Sequence, residues 1–171
     1  AAVIPPHIVL SGIHAADVAP VLVGTGFIHV DNSGGHVAAT ETGSGTLDIV
    51  NNGAALTATL TGTGTMSIVN GGGVLTATNT GNGAMTINNR ATGALTVTNT
   101  GNGRVTIDAK GAAAITFTHT GDDDAVYPLP VDRSHIVLSG TQAANVFSVI
   151  TGGGFINVEN NGGPVQVTET G

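Results

Sequence analysis

The chain has no cysteine and no tryptophan, only four basic residues, and aromatics at 3%. Each shortage removes a class of explanation. Without cysteine there is neither a disulfide framework nor a thiolate metal site. Four Lys and Arg against eleven Asp and Glu leave a net charge of −7. That is the wrong sign for nucleic acid or an anionic membrane surface, both of which require basic patches. No apolar run approaches the ~20 residues that a membrane-spanning helix needs, and the opening AAVIPP lacks the zones of a signal peptide. So few aromatics cannot supply the large anchors of a globular enzyme core. Charged residues make up only 9%, yet 40% of the chain is hydrophobic, too much for a disordered chain.

What is present is repetition. Residues 45–121 read as four similar lines opening at Gly45, Gly64, Gly83 and Gly103, the last spacing one longer than the first two. Repeats of about 20 residues signal a stacked architecture. Each line holds two alternating runs, the mark of a strand with one buried face. In the first run the inward pairs are Leu47 with Ile49, Met66 with Ile68, Met85 with Ile87, and Val105 with Ile107. In the second, Leu56, Leu75, Leu95 and Ile115 form one column, and Ala58, Ala77, Val97 and Phe117 another. Between the runs lie corners rich in Gly and Asn, residues that tolerate the positive φ of tight turns. The expectation is an all-β parallel β-solenoid with two main strands per coil and like residues ~4.8 Å apart. An antiparallel meander or sandwich is the alternative. It shares the alternation, but like residues would recur only on every second strand.

Four segments follow. Residues 1–25 form a lead-in strand or cap that breaks the rhythm, with AADVAPVLV open to a second strand or a short helix limited by Pro20. Residues 26–121 are solenoid coils. Residues 122–134, with Asp122–Asp124 and two prolines, read as an acidic linker. The segment 135–171 then repeats 7–43 at 23 of 37 positions without a gap, so that His135 stands where His7 does. Two periods are thus nested, a coil and a 128-residue unit. The expectation is a segment of a longer tandem array, or a subunit that stacks on copies of itself.

The outward positions of the second run are threonine throughout the four lines: Thr57, Thr59, Thr61; Thr76, Thr78, Thr80; Thr96, Thr98, Thr100; and Thr116, Thr118, Thr120. One reading is a surface array that orders water, with neighbours ~6.6–6.8 Å apart along a strand and ~4.8 Å between strands. The other is that threonine is a good solvent-facing strand residue whose side chains ladder well. Glu41 and Glu169 beside the array, and coils of unequal length, count against a lattice. One inward column, Glu41, Leu60, Asn79, Asn99, His119 and Glu169, is mostly polar; it reads as a corner satisfied by water or a stacked amide ladder, where a buried glutamate would need a partner.

No catalytic, metal or cofactor site is expected. Of the four histidines in residues 7–43, only His7 is kept in the second copy, as His135; Gln142, Asn157 and Pro164 replace His14, His29 and His36. Ser11 and Ser139 form no nucleophile motif. Asp122–Asp124 reads as a solvated boundary, Asn51-Asn52-Gly53 and Asn160-Asn161-Gly162 as turns. The outward strand positions carry only scattered charges, not the acid–base groove of a glycan-cleaving β-helix.

The Thr-x-Thr-x-Thr pattern resembles the arrays of insect and bacterial ice-binding solenoids, and SGTQAANVF (139–147) is similar to a stretch of bacterial ice-binding proteins. Over 26–121, the repeat length, Gly/Asn corners and alternation resemble filamentous haemagglutinins and giant adhesins of bacterial surfaces. That resemblance implies an extracellular or cell-surface, non-catalytic structural or adhesive fibre module, partnered end to end by copies of itself, with a surface, a glycan or ice as further partners. The threonine pattern implies an ice-binding solenoid as the alternative.

Overall fold

The computed structural model describes residues 6–13, 17–110, 114–120, 136–141, 145–151, 156–160 and 162–170. Their regular structure is all strand. In order the strands are β1 (His7–Ile13), β2 (Val21–Gly24), β3 (Phe27–Asn32), β4 (Val37–Gly43), β5 (Thr46–Asn51), β6 (Leu56–Gly62), β7 (Thr65–Asn70) and β8 (Leu75–Asn79). There follow β9 (Ala84–Asn89), β10 (Leu95–Asn99), β11 (Val105–Ala109), β12 (Ala114–Thr120), β13 (Ile136–Thr141), β14 (Asn145–Thr151), β15 (Ile156–Asn160) and β16 (Val165–Thr170).

Odd-numbered strands form one eight-stranded sheet and even-numbered strands another, each in coil order. Every described pairing is parallel, Leu56 facing Leu75 and Leu75 facing Leu95. This is the parallel β-solenoid; the antiparallel meander is excluded, because adjacent strands run the same way. Two alternating runs per coil put two apolar faces against each other, and stacking closes the core along the axis. Leu47, Ile49, Leu56, Met66, Ile68, Leu75, Met85, Ile87, Leu95, Val105, Ile107, Ile115 and Phe117 are all at most 2% exposed. Burying one such side chain contributes roughly 1.5–3 kcal/mol.

The core also changes along the axis. One register column runs Ala39, Ala58, Ala77, Val97, Phe117. The step from Ala77 to Val97 coincides with a lengthening of the coil by one residue. Asn70 pairs with Asn89 at the earlier, shorter spacing, whereas Leu75 pairs with Leu95 at the longer one. The added residue therefore enters the corner between β9 and β10.

The stack extends beyond the regular lines at both ends. β1 pairs with β3 and β2 with β4, so residues 7–24 supply a coil of their own, without a helix among those described. The rhythm is masked there by Pro20. Val18 makes an isolated bridge to Val37, and β2 resumes only at Val21, because proline has no N–H to give to the next strand. At the other end β13 pairs with β11 and β14 with β12. The repeated head is thus in register on the last regular coil. It repeats even an irregularity: the register shifts between Leu10 and Ile13 in one copy and between Leu138 and Thr141 in the other. The linker at 122–134, with Asp122–Asp124, lies outside the described residues.

Candidate functional site

The threonines come together on the outside of the even-numbered sheet. Thr57, Thr76, Thr96 and Thr116 are register partners, as are Thr59, Thr78, Thr98 and Thr118. The third column, Thr61, Thr80, Thr100 and Thr120, lies at the strand ends. There Thr80 Oγ1 donates to Thr61 Oγ1 at 3.1 Å, and the Thr100 N–H continues the ladder to the Asn79 carbonyl. Thr42, one coil earlier, pairs with Thr61, and Thr151, one coil later, with Thr120. Thr76, Thr78, Thr96 and Thr98 are half-buried by their neighbours, so the array is a close-packed surface of methyls and hydroxyls.

Neither the unequal coil length nor Glu41, both of which told against a lattice, disturbs the register of the threonines. The unequal coil length is taken up in a corner, and the threonines stay in register across it. Glu41 is fully buried and points away from the face. The array is bounded instead by apolar residues in its own columns. Val21 and Val23 precede Thr40 and Thr42, and Phe147 and Val149 follow Thr116 and Thr118. All four are exposed. Val21 and Val149 are equivalent positions of the 128-residue unit, so the middle column changes from threonine to valine at each unit boundary.

The opposite sheet, with the same period and core, is different outside. Its outward positions across β5, β7, β9 and β11 are Thr46, Asp48, Val50; Thr65, Ser67, Val69; Ala84, Thr86, Asn88; and, counting Arg104 before β11, Arg104, Thr106, Asp108. His29 and Asp48 approach to 2.8 Å there, and His29 stacks on Phe27 at 6.0 Å. Asp108 and Lys110 lie 3.8 Å apart.

The corners are held by two buried polar ladders. In the first, each amide nitrogen donates to the side-chain oxygen one coil on: Asn32 to Asn51 at 2.8 Å, Asn51 to Asn70 at 2.9 Å, Asn70 to Asn89 at 2.7 Å. Each of the first three also donates to a carbonyl of its own corner, of Gly35, Ala54 and Gly73. This corrects the sequence-based account of the corners. Among described residues no asparagine adopts positive φ; only Gly12, Gly24, Gly43 and Gly62 do. Asn51 still caps its turn, accepting from the Gly53 N–H at 3.3 Å, but its larger role is to satisfy buried backbone and the next amide. The signal was available, as Asn ends the first run in four consecutive coils.

The second ladder is the mixed column. Asn79 donates to Asn99 at 2.9 Å, and the Asn99 amide nitrogen lies 3.0 Å from His119 Nδ1. The same Asn99 amide nitrogen also donates to the Gly101 and Gly103 carbonyls, each at 3.0 Å. Leu60 interrupts the column, leaving Asn79 Oδ1 without a partner. Glu41 Oε1 accepts from the Gly45 N–H at 2.9 Å, while Oε2 is buried without a partner. Beside this ladder the glycines stack so tightly that a Cβ on Gly81 would collide with the Gly62 carbonyl oxygen.

No family model, curated protein or solved structure matches the chain. The functional reading therefore rests on the solenoid itself. Among the described residues, no three His, Cys, Asp or Glu side chains converge. His14 and His135 lie outside those residues, and Glu169 is described only as a strand position in register with Ile150.

Proposed function

We propose that the chain is a non-catalytic, extracellular structural or adhesive module of an extended β-solenoid, similar to filamentous haemagglutinins and giant adhesins. One observation carries this reading: the head of the second 128-residue unit lies in register on the tail of the first, Val105 with Ile136 and Ile115 with Val146. A tail that accepts a head accepts the next unit by the same contacts. Each unit contributes six coils, β1–β12 in pairs, so each added unit lengthens the stack by ~29 Å at ~4.8 Å per coil. Chains carrying one, two and three units, measured by small-angle scattering, are expected to grow in length by that increment at constant cross-section. Growth as compact particles overturns the reading.

A second reading has its own observation. Three outward columns across β6, β8, β10 and β12 hold twelve positions, counting Thr80 and Thr100 just past their strands, and all twelve are threonine (Ala114, at the start of β12, lies outside these columns), against four of twelve on the facing sheet of the same solenoid. Strand propensity acts on both sheets and does not explain the difference. We infer a surface selected for regularity, with ice as the fitting ligand: methyls and hydroxyls at fixed spacing hold water in a repeating arrangement. Thermal hysteresis and ice-crystal shaping by the purified chain test it; absence of both removes it.

A further inference from the structure

We propose that the outer face of the odd-numbered sheet carries a binding subsite for a neutral hexose, built from His7, Phe27, His29 and Asp48. The proposal rests on the adhesive reading above and gives it a class of target. The four residues come from three successive coils, on β1, β3 and β5, and all lie on the outside of the sheet. His7 faces Phe27 in register, and His29 faces Asp48. The His7 and Phe27 rings are 6.1 Å apart and tilted by 57°, while the Phe27 and His29 rings are 6.0 Å apart and parallel to within 6°. His7 is exposed, Phe27 and His29 are half-buried, and Val9, in register with His29, is 58% exposed.

Strand formation does not account for these rings. The column of Phe27 continues as Thr46, Thr65 and Ala84, so small residues serve the sheet equally well there. The chain has only four Phe and one Tyr, and a phenylalanine left half outside forgoes part of the stabilisation that burial gives. The repeat supplies a second observation. In sequence, His135, Val137 and Phe155 stand where His7, Val9 and Phe27 do, and Asn157, another side chain with a donor and an acceptor, replaces His29. Outward on the threonine side, by contrast, Val23 and Ala38 give way to Thr151 and Gln166.

The chemistry of the cluster selects a sugar. A pyranose has an apolar C–H face, which packs on an aromatic ring, and a rim of hydroxyls, which need directional partners. Asp48 Oδ2 lies 2.8 Å from His29 Nδ1. A carboxylate only accepts, so Nδ1 donates, and Asp48 Oδ1 and His29 Nε2 are left for neighbouring hydroxyls. The same bond holds the imidazole in place, which lowers the ordering cost of binding. Asp31 lies on this face too, and the chain carries a net charge of −7, so an acidic sugar is repelled and a neutral one fits. In a tandem array the cluster returns every six coils, ~29 Å along the axis. A surface rich in such sugars then engages several units at once, and a weak single contact suffices.

Saturation-transfer NMR on the whole chain tests the proposal, with the methyl glycosides of glucose, galactose and mannose as probes. Transfer to at least one of the three is expected, with millimolar affinity. Its titration should move the ring-proton resonances of His7 and His29 and leave those of His36 and His119 in place. Phe27→Ala, made together with Phe155→Ala so that neither copy keeps the ring, is expected to weaken binding about tenfold. Phe27→Tyr with Phe155→Tyr keeps it. Asp48→Ala, which removes acceptors and touches no ring, is expected to weaken it about fivefold. Thr86→Ala, outward on the same sheet, leaves it unchanged. Transfer to none of the three glycosides overturns the proposal. So does binding that survives the loss of both rings in a chain folded by circular dichroism, or transfer to tetramethylammonium alone, which marks a cation–π site. If the sugar site fails while tandem units still lengthen in scattering, the fibre reading stands without it; hexose binding by units that grow compactly does the reverse.

Discussion

The two outer faces of the solenoid are an internal control on each other. They share one core, one coil length and one register, and each is a parallel sheet under the same demand for β-branched, solvent-compatible residues. Over the three columns that run from β6 to β12, one face meets that demand with threonine alone. The other meets it with Thr46, Asp48, Ser67, Val69, Asn88 and Arg104. A fold that tolerates such variety on one side does not require uniformity on the other. The difference between the faces is what the ice-binding reading draws on, and a laddering account of threonine must explain why only one sheet shows it.

The sharpest way to break this comparison is to spoil each face in turn. On the ice-binding reading, Thr78→Tyr with Thr98→Tyr places two rings at the centre of the array and is expected to abolish thermal hysteresis. Ser67→Tyr with Thr86→Tyr, in equivalent positions opposite, is expected to leave it intact. Equal losses from the two pairs would mean that neither face is special. A fold-level reference comes from the corner between the sheets. Asn70→Ala removes a donor to Asn89 and to the Gly73 carbonyl and an acceptor for Asn51, and is expected to cost about 3 kcal/mol in urea unfolding. Both faces should then fail together, unlike in the tyrosine pairs.

The sequence shows the strand faces because inward and outward are decided residue by residue, and it shows the columns because the repeat aligns them. Leu75 between Leu56 and Leu95 needs nothing more. The asparagine ladder is less visible. Asn51 beside Gly53 satisfies the local pattern of a turn, and only knowledge that its amide stands one strand spacing below that of Asn70 turns it into a buried, self-satisfying column. The polar column of Asn79, Asn99 and His119 is legible as a ladder because the alternation forces those residues inward. The coil at 7–24 is hidden for a different reason. Pro20 interrupts the ladder and the register slips after Leu10, so the period is lost locally although the stacking is not. The corner that absorbs the added residue between Asn89 and Leu95 leaves no mark in the strands themselves.

Smaller changes sharpen the comparison by separating stability from surface. Thr80 Oγ1 bonds Thr61 on one face, and Thr65 Oγ1 bonds Thr46 at 3.3 Å on the other. Valine keeps the shape of threonine and removes the hydroxyl. Thr80→Val and Thr65→Val are therefore expected to cost alike, each less than about 1 kcal/mol in urea unfolding, while only Thr80→Val reduces hysteresis. Unequal stability costs would trace the threonine uniformity back to the fold.

The smallest effect is expected at His29, on the varied face. Its ring lies 2.8 Å from Asp48, and both side chains are about a third exposed. A solvated pair of this kind contributes ~0–1 kcal/mol. The chain offers its own precedent, since Asn157 occupies the equivalent position in the second copy. His29→Asn should therefore behave as an ordinary surface substitution, leaving stability within about 0.5 kcal/mol of the parent chain in urea unfolding, and hysteresis unchanged. A larger stability loss would show that the stacked Phe27 and His29 rings brace the first coils, and that the varied face carries a structural constraint of its own. The contrast between the faces would then lie between two specialised surfaces, one selected for regularity and the other for holding the head of the stack in place.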